Sequence, residues 1–170
     1  MKRLTLIRHG NAEWKDATVQ DFDRPLNKRG LNEAEAMGKV LLEQELVPDL
    51  LLASPARRTQ QTTDILVRKL TLPARKVKSI ESLYLATLDD ILGLVRETGP
   101  NVEHLSIVGH NPGLSELAKK LSPEGSNVLD LPTGAACTLT FTAASWATLT
   151  APAQRAVQFQ PPSKLFNLFT

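Results

Sequence analysis

Three short segments of this chain combine residue types that handle phosphate: Arg8-His9-Gly10, Ser54-Pro55-Ala56-Arg57-Arg58-Thr59 and Gly109-His110-Asn111. Guanidinium forks match phosphate oxygens bidentately, and helix N-termini add backbone N–H donors. A neutral imidazole can attack phosphorus through one ring nitrogen while the other donates to a fixed acceptor. Each segment also has a blander reading. Arg-His-Gly alone arises by chance in on the order of one chain in a hundred of this length. A lone histidine at a strand end is more often structural, and His104 is read that way. Arg57 and Arg58 at a helix start are either solvated or gathered about an anion, because two cations there oppose the positive end of the helix dipole.

The elements around these segments decide between the readings. Arg3 to Arg8 alternates and is β-rich; a helical pattern runs from about Lys28 to Glu45, with Leu31, Ala34, Gly38, Leu41 and Leu42 on one face. Asp49 to Ala53 is a continuous apolar run, as in a strand buried on both sides, and Ser54-Pro55 leads into a helix from Ala56 to Leu70. A third strand is expected near Lys76 to Ile80. Thr87-Leu88-Asp89-Asp90 has capping-box spacing and opens a helix that Gly99-Pro100 ends. The fourth strand is His104 to Val108, a short helix runs from Asn111-Pro112 to Leu121, and Ala135–Thr142 and Ala153–Gln160 are β-like. Such alternation predicts an α/β fold in three α/β/α layers, with a mainly parallel sheet and the tail runs at its edge. Ligands of such sheets bind beyond the carboxyl ends of the strands, and all three segments fall there. The long connection from Asn11 to Asn27 is the natural border of that site.

A chain of 170 residues and 18.6 kDa fits one domain, residues 1–170, with one core. Hydrophobic residues at 42% and charged residues at 22% argue against disordered, collagen-like and coiled-coil classes. A net charge of +2 is too small for general nucleic-acid affinity. No window approaches the roughly 18 apolar residues of a membrane span, and the apolar stretch after Met1-Lys2-Arg3 stops at Arg8, short of a secretory signal. Cys137 is the single cysteine, so no internal disulfide is expected and a reducing cytoplasm is the expected home.

Arg8-His9-Gly10, the S-P-x-x-R-T-x-Q-T run from Ser54 to Thr62, and Gly109-His110-Asn111 together resemble the histidine phosphatase superfamily, the phosphoglycerate mutase-like group. Asp23-Arg24-Pro25-Leu26 before a helix with Gly30, and Leu131-Pro132-Thr133-Gly134-Ala135 before a late strand, are most similar to its small SixA-type phosphohistidine phosphatases. The resemblance implies a phosphoglycerate mutase-like fold without a lid domain, and a pocket open enough for a phosphorylated side chain. It implies His9 as the nucleophile, Arg8 and Arg58 on the phosphoryl oxygens and His110 as the fourth member of the pocket. Asn11 and the N-terminus of the helix after Ser54 are secondary phosphate donors. The expected substrate is a phosphohistidine-bearing protein of the phosphotransfer type; a small phosphorylated metabolite, or phosphate recognition without catalysis, are the alternatives.

Larger members of that superfamily place a Glu after the third strand to protonate the leaving group. Glu81 lies near that place without matching the pattern, and is the candidate acid; Asp89 and Asp90 are explained by capping. A phosphohistidine substrate relaxes the need, since the leaving imidazole can carry the proton itself. No cofactor is implied. A zinc site from His9, His104, His110 and Cys137 lacks CxxC or HExxH spacing, and neighbouring arginines would repel the cation. Trp14 and Phe22 in the long loop are either packing or rim.

Overall fold

The computed structural model describes residues 1–149 and 152–161. Strand β1 (Lys2–Arg8) is followed by helix α1 (Lys28–Glu43), then β2 (Leu50–Ala53), α2 (Arg57–Leu70), β3 (Val77–Ser79), α3 (Leu88–Arg96), β4 (His104–Gly109), α4 (Gly113–Leu121), β5 (Ala136–Phe141) and β6 (Arg155–Phe159). The strands form one sheet in the order β3-β2-β4-β1-β5-β6. The first four are parallel, whereas β5 and β6 join antiparallel at one side. The single-domain expectation over 1–170 extends into 150–151 and 162–170, which lie outside the described residues.

Alternation along the strands divides the core into two clusters. Leu4, Leu6, Leu52, Leu105 and Ile107 pack with Ile91, Val95, Leu114 and Leu117 of α3 and α4. Ile7, Leu51, Ala53 and Val108 pack instead with Met37, Leu41, Leu66 and Leu70 of α1 and α2. Neighbouring strand residues point to opposite faces, so each helix pair covers one of them.

Helix α1 departs from the face read off its sequence. Its buried stripe is Gly30, Glu33, Ala34, Met37, Gly38 and Leu41, while Leu31 and Leu42 are 41% and 51% exposed. A 100° step per residue puts both leucines beside the stripe, and a buried polar residue, Glu33, takes a place that a hydrophobic pattern would miss. The capping box of α3 is present in full: the Thr87 side chain accepts from the Asp90 N–H, and the Asp90 side chain accepts from the Thr87 N–H.

Register brings the three phosphate-type segments together. Arg8 of β1 lies opposite Gly109 of β4, and Ala53 of β2 lies opposite Val108. The next residues, His9, His110 and Ser54, therefore leave three adjacent strands at one edge. Asn27 caps α1 by accepting from Gly30 N–H at 2.9 Å, and the first turn of α1 rests on the Arg8-His9-Gly10 turn. A Cβ on Gly30 would lie well inside van der Waals contact with the Asn11 carbonyl oxygen, and one on Gly10 would meet the Gly30 carbonyl. Two backbones touch there with no room for a side chain. Gly30→Ala is accordingly expected to cost about 1–3 kcal/mol through overpacking, read as a lower urea midpoint; an unchanged midpoint would contradict the contact.

Candidate functional site

Several polar residues of the Ser54–Thr62 run hold parts of the site. Thr59 Oγ1 donates to the carbonyls of Ser54 and Ala56 at 2.9 and 2.6 Å, which fixes the turn from β2 into α2. Gln61 Oε1 accepts from the Leu26 N–H at 2.7 Å and pins the long loop. Thr62 Oγ1 accepts from the Gly10 N–H at 3.1 Å. No side chain caps the N-terminus of α2, so its first-turn N–H groups keep their partial positive charge at this edge. Arg57 faces solvent and Arg58 turns inward, 2% exposed.

Arg58 is the centre of a cluster. Its Nε donates to His9 Nε2 at 3.3 Å, one terminal nitrogen donates to the Asp21 carbonyl at 2.6 Å, and the other reaches Asp21 Oδ2 at 3.1 Å and His110 Nδ1 at 3.2 Å. A guanidinium only donates, so both facing imidazole nitrogens are acceptors and the far nitrogens carry the protons. The far partners agree. His9 Nδ1 donates to the Gly10 carbonyl at 2.7 Å, and His110 Nε2 donates to Ser54 Oγ at 2.7 Å. The two rings stand 5.3 Å apart.

Burial pushes the His9 pKa down to about 4, against the Gly10 carbonyl and aided by Arg58, Arg8 and Arg24. Burial likewise takes His110 down to about 3, aided by His9 and Arg58. Both rings are neutral at pH 7. His9 Nε2 thus offers a lone pair, and the chemistry available is nucleophilic attack with cationic donors in place for an anion.

Arg8 brings a second guanidinium close enough to act on His9 and Arg58. One terminal nitrogen donates to the Leu131 carbonyl at 3.0 Å, which Asn111 Nδ2 also binds at 2.9 Å, so the Leu131–Ala135 segment positions both residues. Gly134 N–H closes the ring of contacts on the His9 carbonyl at 2.9 Å. The Arg8 Nε is buried without a partner among the described residues, a donor left over for an anion.

The structure therefore gathers Arg8, His9, Arg58 and His110, and treats two other candidates differently. Asn11 spends its main-chain N–H on Glu33 Oε2 at 2.9 Å and its side-chain oxygen accepts from Asn27, which fixes it at the β1–α1 junction with its Nδ2 donor unengaged among the described residues. Glu81 is exposed, on a 3-10 turn over Glu81–Leu83, and its carboxylate makes no hydrogen bond or ion pair among the described residues. The carboxylate that meets the cluster is Asp21, from the long loop. Its Oδ2 accepts from Tyr84 hydroxyl at 2.6 Å and its Oδ1 from Arg24 at 2.7 Å. Burial opposes ionisation of Asp21, but Tyr84, Arg24 and Arg58 together hold its carboxyl well below the usual range.

Glu33 is the other residue that the sequence reading passed over: it is buried and accepts from Asn11 N–H, Arg29 and Thr133. His104, at the opposite end of β4, meets Thr5 Oγ1 at 2.8 Å. Trp14 is 74% exposed, with the Arg24 guanidinium 3.5 Å above its ring.

Comparison with known proteins gives the same neighbourhood. The model of the histidine phosphatase superfamily (branch 1) matches residues 4–89, a span that holds Arg8, His9 and Arg58. An uncharacterized chloroplastic protein of Arabidopsis thaliana is 30% identical over 129 residues, covering 71% of this chain and 59% of that protein, so the chain spans under two thirds of that relative. The candidate phosphohistidine phosphatase SixA from Agrobacterium tumefaciens superposes with a TM-score of 0.75 at 29% identity, over 82% of this chain and 92% of that one. Its counterpart from Nakamurella multipartitia gives a TM-score of 0.81 at 25% identity, over 95% and 97%.

The neutral histidines make stability depend on pH. Burial is the leading cause that takes His9, His104 and His110 from the ordinary 6.5 to about 4, about 4 and about 3. Between pH ~6.5 and ~4 the unfolded chain binds more protons than the native one, so stability falls as pH falls through that window and is unaffected above it. Asp21 acts in the same sense in a lower window, its contribution being lost as pH drops below its ordinary value of 3.8. The urea midpoint is expected to decline from pH 7 to pH 4.5, with a shallower decline in His9→Gln; a flat midpoint in wild type would contradict the buried neutral rings.

Proposed function

This chain belongs to the histidine phosphatase superfamily, branch 1, and we propose that it is a phosphatase working through a phosphohistidine intermediate on His9, with phosphohistidine on a protein as its substrate. The Arg58 guanidinium, joined to both His9 Nε2 and His110 Nδ1, carries this reading. His9 Nε2 attacks phosphorus and the leaving group departs with the bonding electron pair. Nδ1 keeps its proton, donating it in a hydrogen bond to the Gly10 carbonyl, so the phosphorylated ring is held as a cation that water then dephosphorylates. Arg58 and the free donor of Arg8 meet charge on the equatorial oxygens. His110, anchored by Ser54, aims the Arg58 guanidinium.

The preference for an N–P substrate rests on the carboxylates. Asp21 is ionised and accepts only, while the Glu81 carboxylate is exposed and bonds to no member of the cluster among the described residues. Neither offers a poised proton for an alkoxide, whereas an imidazole leaves with a proton it already carries. The SixA likeness supports the same substrate class.

The test is turnover of a phosphohistidine carrier protein beside an aryl phosphate and a panel of metabolite phosphates. The carrier protein is expected to give the highest kcat/KM; a metabolite turned over faster would favour a small-molecule phosphomonoesterase. His9→Ala is expected to abolish turnover of every substrate, with vanadate inhibiting the wild type as an in-line transition-state mimic. Activity surviving beyond a small fraction would contradict the covalent step. Arg58→Ala is expected to cost about 2–4 kcal/mol in transition-state stabilisation on carrier protein and aryl phosphate alike. Glu81→Gln is expected to leave carrier-protein turnover within a few-fold of wild type, and a large loss there would make Glu81 the acid.

A further inference from the structure

Asp21 stands where the buried cluster meets solvent. Its side chain is 43% exposed, against 3% for Arg58, to which it is joined at 3.1 Å. The rings beside it form an aromatic edge: Phe22 and Tyr84 meet at 5.1 Å and nearly perpendicular, and Tyr84 stands 5.5 Å from His110. Phe22 is 37% exposed. A carboxylate and two aromatic rings therefore stand on the solvent side of the buried His9–Arg58–His110 cluster. The charged and titratable groups facing Asp21 are Arg24 from its own loop, Arg58 from α2 and the Tyr84 hydroxyl, with His9 and His110 behind Arg58. An ionised carboxylate cannot donate a proton, but it can hold an N–H. Flat rings with a carboxylate at their edge fit a small cationic heteroaromatic ring.

We propose that Asp21, Phe22 and Tyr84 form the subsite for the leaving imidazole of the substrate, with Asp21 accepting the N–H of the ring nitrogen opposite the phosphorylated one. This rests on the phosphohistidine reading and names the residues that would enforce it. The substrate enters with that far nitrogen protonated. His9 Nε2 forms its bond to phosphorus as the substrate P–N bond breaks; the electron pair returns to the substrate ring, which leaves as neutral imidazole with its N–H still on Asp21. No proton comes from the protein. The phosphoryl group brings negative charge to Arg58 and Arg8, which releases the Asp21 carboxylate from Arg58 for the incoming ring. The two imidazoles are then held alike, since His9 has its own N–H on the Gly10 carbonyl at 2.7 Å.

The experiment compares wild type with Asp21→Asn, which keeps the shape and removes the charge. The readout is kcat/KM on N-phosphoimidazole and on p-nitrophenyl phosphate, whose leaving phenolate needs no proton. Both are expected to fall, because Arg58 loses an ion pair, but N-phosphoimidazole turnover should fall at least ten-fold further. Equal losses on the two substrates would make Asp21 only a clamp for Arg58 and overturn the subsite while leaving the phosphohistidine reading intact. Wild type that cleaves the aryl phosphate and not N-phosphoimidazole would overturn that reading and the subsite with it.

Discussion

Arg58 carries a full positive charge to a place where it is 2% exposed, and the formal counter-charge hydrogen-bonded to it is Asp21 at 3.1 Å. Removing an ion from water costs several kcal/mol unless every donor finds an acceptor. Here two of the acceptors are imidazole nitrogens, and an imidazole accepts only while that nitrogen is unprotonated. Burial is the leading cause of the neutrality of both histidines, and the buried guanidinium reinforces it, since a proton on either would set a second cation against the first. Neutrality of His9 is also what leaves Nε2 with a lone pair for attack. The interaction that makes the cluster tolerable to the fold is the one that makes His9 reactive.

Everything around Arg58 keeps that arrangement from relaxing. Parallel register sets Arg8 opposite Gly109, so the two histidines leave adjacent strands side by side. Ser54 and the Gly10 carbonyl accept from the outer N–H groups of the rings and fix their tautomers. The touching backbones at Gly10 and Gly30 lock the turn that carries His9 against α1. Glu33, buried under the same junction, ties Asn11 to Thr133 and so couples the first strand to the Leu131–Ala135 segment on which Arg8 rests. Such preorganisation means that charge arriving on a phosphoryl group would meet donors already in position.

The residues that can be read from the sequence are those whose place depends on a strand end. Arg8, His9 and His110 each directly follow or close a β run, and Arg58 opens a helix after one, so alternation and the sheet-edge rule suffice to put them in one neighbourhood. The layers, the mainly parallel character of the sheet and the α3 cap follow from patterns equally local. Asp21 and Tyr84 are different: they meet each other 63 positions apart, and Asp21 meets Arg58 37 apart, through a loop whose path no periodicity records. The Asp23–Leu26 run pointed to that loop, but not to the carboxylate beginning its 3-10 turn at Asp21–Asp23. Glu81 follows the third strand, whereas the carboxylate bonded to Arg58 comes from the connection after the first. Glu33 escaped for a related reason, because a hydrophobic stripe cannot announce a buried polar member.

The claim on which the rest depends is that phosphorus becomes bonded to His9 Nε2. Rapid acid-free quenching of the enzyme with a 32P-labelled substrate, followed by peptide mapping, tests it directly. The label should appear on His9 at a level approaching one per chain, survive alkali, and be lost in mild acid, as N-linked phosphate is. Label on another residue, or steady turnover with no labelled protein at any quench time, would contradict it.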